Sequence, residues 1–175
     1  MPNAGNQRRT IDLNAIDRHP PIVESSVRAL AWANEEATRA YAAQLAAHPA
    51  LANAFIELHG DLGAGKTTFV RHLLRALGVQ ERIKSPTYTV MEPHETPGFT
   101  VWHFDFYRFN DPREWEDAGF RDVFAGGGLK IAEWPEKAAG LLPQADLVLR
   151  IEADADETRR VTVKAQTPLG QELLA

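Results

Sequence analysis

LHGDLGAGKTTFV, residues 58–70, is the stretch on which the reading of this chain turns. Within it, Gly60-Asp61-Leu62-Gly63-Ala64-Gly65-Lys66-Thr67 fits G-x-x-x-x-G-K-[ST], a pattern that average residue usage places by chance in on the order of 1% of chains this long. Each residue type has a physical reason to be there. The glycines let the backbone curl with its N–H groups turned inward, and the N-terminus of a following helix adds a field that favours anions. Lys66 supplies a point charge for the β- and γ-phosphates of a nucleotide, and the Thr67 hydroxyl suits Mg²⁺. Asp61 is an awkward charge beside a triphosphate, and it reads as a structural residue or one that orients the loop.

The flanks supply the context that the loop requires. AFIELHG before it is a short apolar run, the pattern of a buried parallel strand. After Lys66, the residues Phe69, Val70, Leu73, Leu74 and Leu77 form the stripe of an amphipathic helix, with Gly78 at the position just past its end. Upstream, NEEATRAYAAQLAAH from Asn34 is helical, with Ala37, Tyr41, Leu45 and His48 on one face, and Pro49 closes it.

Downstream, RIKSPTYTVME gives a loop around Pro86 and a strand from about Tyr88, and TVWHFDFYRF is a second strand. DPREWEDAGFRDVFAGG reads as one helix with Pro112 in its first turn. LKIAEW is a further strand, and LVLRIEA and RRVTVKA form an antiparallel pair around ADADET. Helices interspersed among strands predict a three-layer α/β P-loop NTPase fold with a mixed, mainly parallel central sheet. Residues 1–30 read as an N-terminal extension, disordered or docked along an edge, and 31–175 as one domain.

Composition narrows the function classes. The chain has no cysteine, which excludes disulfides, thiolate metal sites and Cys nucleophiles. No run of about 18 apolar residues suggests a membrane span, and the N-terminus lacks the apolar block of a secretion signal, so a cytoplasmic protein is expected. A net charge of −5 argues against a domain that grips nucleic acid unaided. The histidines show no metal-binding spacing.

Two apolar runs end in an acid that could serve Mg²⁺ or its water: VWHF ends in Asp105 and LKIA in Glu133. On residue pattern alone either could be a plain strand-end carboxylate, and both stay open. Ser85-Pro86-Thr87 lies where nucleotide hydrolases keep a loop that senses the γ-phosphate. Without an N-K-x-D segment to read guanine, adenine is the expected base. A small-molecule P-loop kinase would fit the length, with Arg108, Arg113 and Arg121 as the candidate lid, and a nucleotide-gated scaffold is a third class.

HGDLGAGKTTF, KSPTYTV, HFDFYRF and AEWPEK, in this order, resemble the TsaE (YjeE) family of P-loop ATPases in tRNA threonylcarbamoyladenosine synthesis, over about residues 34–163. The resemblance implies that the loop residues Gly60, Asp61, Gly63, Ala64, Gly65, Lys66, Thr67 and Thr68 bind ATP. It implies Mg²⁺ on Thr67 and Glu133, and a catalytic set of Lys66, Asp105 and Glu133. It puts Thr87 in a switch-like loop, Trp134 beside the metal acid, and Glu35, Thr38 and Glu157 near the nucleotide base. The implied partners are TsaD and TsaB, with tRNA reached only through that complex and no membrane involved.

Overall fold

A computed structural model describes residues 26–175; residues 1–25, most of the extension expected over 1–30, lie outside the described residues. The strands are β1 (Val27–Trp32), β2 (Phe55–His59), β3 (Met91–Glu95), β4 (Thr100–Asp105), β5 (Leu129–Glu133), β6 (Leu147–Ala153) and β7 (Arg159–Ala165). The helices are α1 (Glu35–Ala46), α2 (Lys66–Ala76), α3 (Pro112–Asp117), α4 (Phe120–Ala125) and α5 (Pro168–Leu174). All seven strands share one sheet in the order β1-β7-β6-β2-β5-β4-β3. The inner four, β6, β2, β5 and β4, are parallel to one another, while β3 on one edge and β7 and β1 on the other pair antiparallel.

Strand alternation sorts the apolar residues onto two faces. Ile56, Leu58, Ile131, Val101, Leu147 and Leu149 face a core completed by Phe69, Val70, Leu73 and Leu74 of α2, with α1 and α5 on the same side. On the other side Phe55, Phe104, Phe106 and Ala132 pack with Trp115 and Phe120 of α3 and α4. This gives a helix layer on each face of a mixed sheet with a parallel centre. Phe69 anchors the first layer: it is fully buried and stacks 5.7 Å from Trp32, with Tyr41 6.2 Å away.

Three boundaries depart from the sequence reading. Val27–Trp32 joins the sheet edge ahead of the boundary set at residue 31, paired along β7 from Val27↔Lys164 to Trp32↔Arg159. The single helix expected over DPREWEDAGFRDVFAGG is two, because Gly119 takes φ 70° and turns the chain. The bend lets Phe120 and Phe124 reach Phe104 at 5.2 and 4.9 Å, packing a continuous helix would forgo. The strand expected from Tyr88 begins at Met91, since Thr87–Val90 forms a turn closed by Val90 N–H donating to Pro86 O at 2.7 Å.

Candidate functional site

The glycine loop leaves β2, the middle strand of the sheet, and enters α2 with no side chain capping the helix N-terminus. The first four N–H groups of a helix have no intrahelical acceptor, so this end presents donors and a positive field to the loop's concave side. Gly63 and Gly65 take φ of 78° and 108°, the left-handed region that closes the curl. Gly60 has a different duty: at φ 151° a Cβ there would sit 2.4 Å from the Ile151 carbonyl oxygen, so only glycine lets the loop lie against β6.

Lys66 is held inside the curl. Its Nζ donates to the carbonyls of Gly60 at 2.5 Å and Asp61 at 3.0 Å and lies 4.1 Å from the centre of the Trp134 ring. Burial pulls the ammonium below the ordinary lysine range, with Glu133, Glu136, Asp105 and Asp61 opposing the shift. An ammonium has three donors, so one remains for a ligand after the two carbonyls. Trp134 reaches this place by taking φ 55°, which swings the chain out of β5 into the turn Pro135–Ala138.

Both acids stand at the C-terminal ends of adjacent parallel strands, Asp105 paired with Glu133 in register, on the face that α2 covers. Glu133 accepts from the Thr67 hydroxyl, whose oxygen is 3.0 and 2.9 Å from the two carboxylate oxygens, and from His103 Nε2 at 2.8 Å. Asp105 belongs to a separate network. Its Oδ2 accepts from the Ser85 hydroxyl and from Thr87 Oγ1 at 3.0 Å, and its Oδ1 from the Tyr107 N–H at 2.9 Å. A carboxylate offers about four lone-pair sites, so one is left after these three donors.

One cleft is lined by residues 62–68 together with Ser85, Thr87, Asp105, Tyr107, Glu133 and Trp134. A second, sharing Ala64, Gly65 and Thr68 with the first, is lined by Trp32, Asn34, Glu35, Thr38, Glu157 and Arg159. Residues that the sequence places far apart, Glu35 and Thr38 in α1 and Glu157 before β7, thus meet beside the glycine loop. Gly60 and Asp61 line neither cleft; their carbonyls hold Lys66, and Asp61 lies in a groove with Arg150 and Arg160.

Sequence reading missed three members of this assembly. Arg159 donates from Nε to the Ala64 carbonyl at 2.9 Å and from Nη1 to Glu157 O at 2.7 Å, tying β7 to the glycine loop. Trp32 comes from the edge strand, and His103 reaches Glu133 only because β4 and β5 are neighbours. The three arginines considered for a lid line neither cleft. Arg108 lies over the Tyr88 ring at 4.4 Å, Arg113 pairs with Asp111 at 2.9 Å and Arg121 with Glu116 at 3.7 Å.

A glycine loop from the central strand into a helix, with acids on the neighbouring strand ends, defines an α/β protein of the P-loop class. Comparison with known proteins makes this particular. The family model "Threonylcarbamoyl adenosine biosynthesis protein TsaE" matches residues 32–161. The tRNA threonylcarbamoyladenosine biosynthesis protein TsaE of Haemophilus influenzae is 43% identical over 120 residues, covering 69% of this chain and 75% of that protein. Its Bacillus subtilis namesake is 36% identical over 141 residues, covering 79% and 87%. The crystal structure of Bacillus subtilis YdiB superposes with a TM-score of 0.68 at 29% identity, covering 85% of this chain and 93% of that one. The chain belongs to the TsaE family.

Proposed function

We propose that this chain binds Mg·ATP across the two clefts and hydrolyses it, and that it serves threonylcarbamoyladenosine formation in tRNA by driving turnover of a TsaD–TsaB transferase. The observation that carries the reading is the convergence of Lys66, Thr67, Glu133 and Asp105 on one cleft at the mouth of the glycine loop. The family supports the pathway, and the resemblance in sequence supports the partners.

The residues at the foot of the loop suit a magnesium ion. A hydroxyl and a carboxylate, Thr67 and Glu133, are hard oxygen donors, and Mg²⁺ is held by one or two such groups plus phosphate and water. Bound there, the ion would supply positive charge that offsets the charge of the phosphates.

The chain's own groups do the rest. The free Lys66 donor and the N–H groups at the start of α2 hold the β- and γ-phosphates, whose charge favours the ammonium that burial disfavours. The remaining acceptor site on Asp105 orients the attacking water, while its other bonds keep Ser85 and Thr87 at the γ-phosphate end. Trp32, Glu35, Thr38, Glu157 and Arg159 take the base and sugar. A small-molecule kinase is the weaker reading, because Arg108, Arg113 and Arg121 are engaged away from the clefts.

Calorimetric titration with ATP and Mg²⁺ tests the reading. Lys66→Ala abolishes tight binding in a folded protein; wild-type affinity in that variant contradicts the site.

A further inference from the structure

His103 sits in the middle of β4 at full burial, on the same sheet face as Asp105, with Val101 two residues before it and Ile131 opposite it on β5. A histidine there has a cost. Its Nδ1 is buried without a partner, and burying an unpaired polar atom disfavours folding. Its only polar gain among the described residues is the 2.8 Å contact from Nε2 to Oε1 of Glu133, itself 2% exposed. The other titratable ring packed against it, His94 on β3, is 6.4 Å away between ring centres and has no hydrogen bond. Glu92 pairs with His103 across the β3–β4 ladder.

We propose that His103 is a positioning residue for magnesium: its Nε2–H holds the Glu133 carboxylate in the rotamer that faces Thr67 and the metal. The inference rests on the magnesium reading of Thr67 and Glu133 above. A carboxylate has no hydrogen to give, so the imidazole must carry its proton on Nε2. Thr67 donates to Glu133 from the cleft side and His103 from the buried side, which fixes the carboxylate between two donors. The carboxylate plane is then set before metal arrives, and the ion does not have to order a free side chain. Polar groups in this outer position commonly change metal affinity about 10- to 100-fold.

The test is Mg²⁺ titration of fluorescent ADP binding in the full chain, for wild type, His103→Phe, His103→Gln and His103→Asn, with melting temperatures alongside. His103→Phe keeps the ring and removes the donor, and it raises the Mg²⁺ concentration at half-effect by about tenfold or more, while Mg²⁺-free ADP affinity stays within about twofold. Gln, which reaches Glu133, restores most of the effect, and Asn, which is shorter, does not. A role confined to packing would lower the melting temperature and leave the Mg²⁺ dependence unmoved, and that result overturns the proposal. So does an equal Mg²⁺ response in Gln and Asn. Should the variants fail to fold, ¹⁵N NMR of the unmodified protein decides: the proposal requires the Nε2–H tautomer at His103, and Nδ1–H overturns it. A wild type whose ADP affinity ignores Mg²⁺ removes the magnesium reading and this role together, whereas a normal wild-type response shared by His103→Phe removes only the role of His103.

Discussion

Replacing Asp105 by Asn separates turnover from binding. Asn keeps the volume and keeps an oxygen to accept the Tyr107 N–H, which Asp105 Oδ1 receives at 2.9 Å. The amide nitrogen then stands where Oδ2 accepted from Ser85 and Thr87, and both hydroxyls can rotate to become acceptors. The loss is the charge assistance of two hydrogen bonds, about 1–3 kcal/mol in all, or a melting temperature lower by roughly 2–12 °C for a domain of this size. Chemistry suffers more, because an amide cannot take or orient a proton as a carboxylate does: a positioned acid–base group contributes about 10²–10⁴-fold to rate. Phosphate release from saturating Mg·ATP should therefore fall at least about 100-fold, while ATP affinity changes by less than about threefold. A parallel loss of affinity and rate would place Asp105 in ground-state binding, and an unchanged rate would remove it from the mechanism.

The lowered Lys66 pKa has a definite sign. The ammonium is disfavoured by burial in the free protein and needed by bound phosphate, so ADP affinity is full below the lowered pKa and declines as pH rises through it, before an ordinary lysine near 10.5 would titrate. The folding penalty of burying that charge is present below the lowered pKa and relieved above it, so the loss of binding is not Lys66 unfolding the protein; calorimetry and melting curves from about pH 7 to 10 separate the two. Phe69→Ala, in the stack with Trp32 and Tyr41, costs about 3–5 kcal/mol and lowers the melting temperature by roughly 6–20 °C, and an unchanged melting temperature contradicts the packing described.

The parts of the site written as contiguous sequence were legible in it. The glycines, Lys66 and Thr67 carry their spacing with them, and the α2 stripe of Phe69, Val70, Leu73 and Leu74 follows from helical periodicity. Asp105 and Glu133 could be marked as strand ends, but their division of labour could not be read from residues alone, because it depends on which hydroxyls reach them: Thr67 for Glu133, Ser85 and Thr87 for Asp105. The contacts of His103 with Glu133 and of Arg159 with Ala64 were hidden for the same reason, since strand order makes them. The edge strand Val27–Trp32 lacked a strong alternating pattern, with Val27 60% exposed. Helix α5 did carry a signal that went unused: Thr167 caps it and Pro168 opens it. Gly119 in DPREWEDAGFRDVFAGG was likewise a usable break, read through as helix interior.

The central claim is that nucleotide hydrolysis by this chain is coupled to a protein assembly. Phosphate release from Mg·ATP, measured on the purified chain alone and again with purified TsaD and TsaB, tests it most directly. The account predicts slow release alone and a clear rise when both partners are present, lost in Asp105→Asn. No stimulation by the pair, or stimulation by a small metabolite instead, would contradict it.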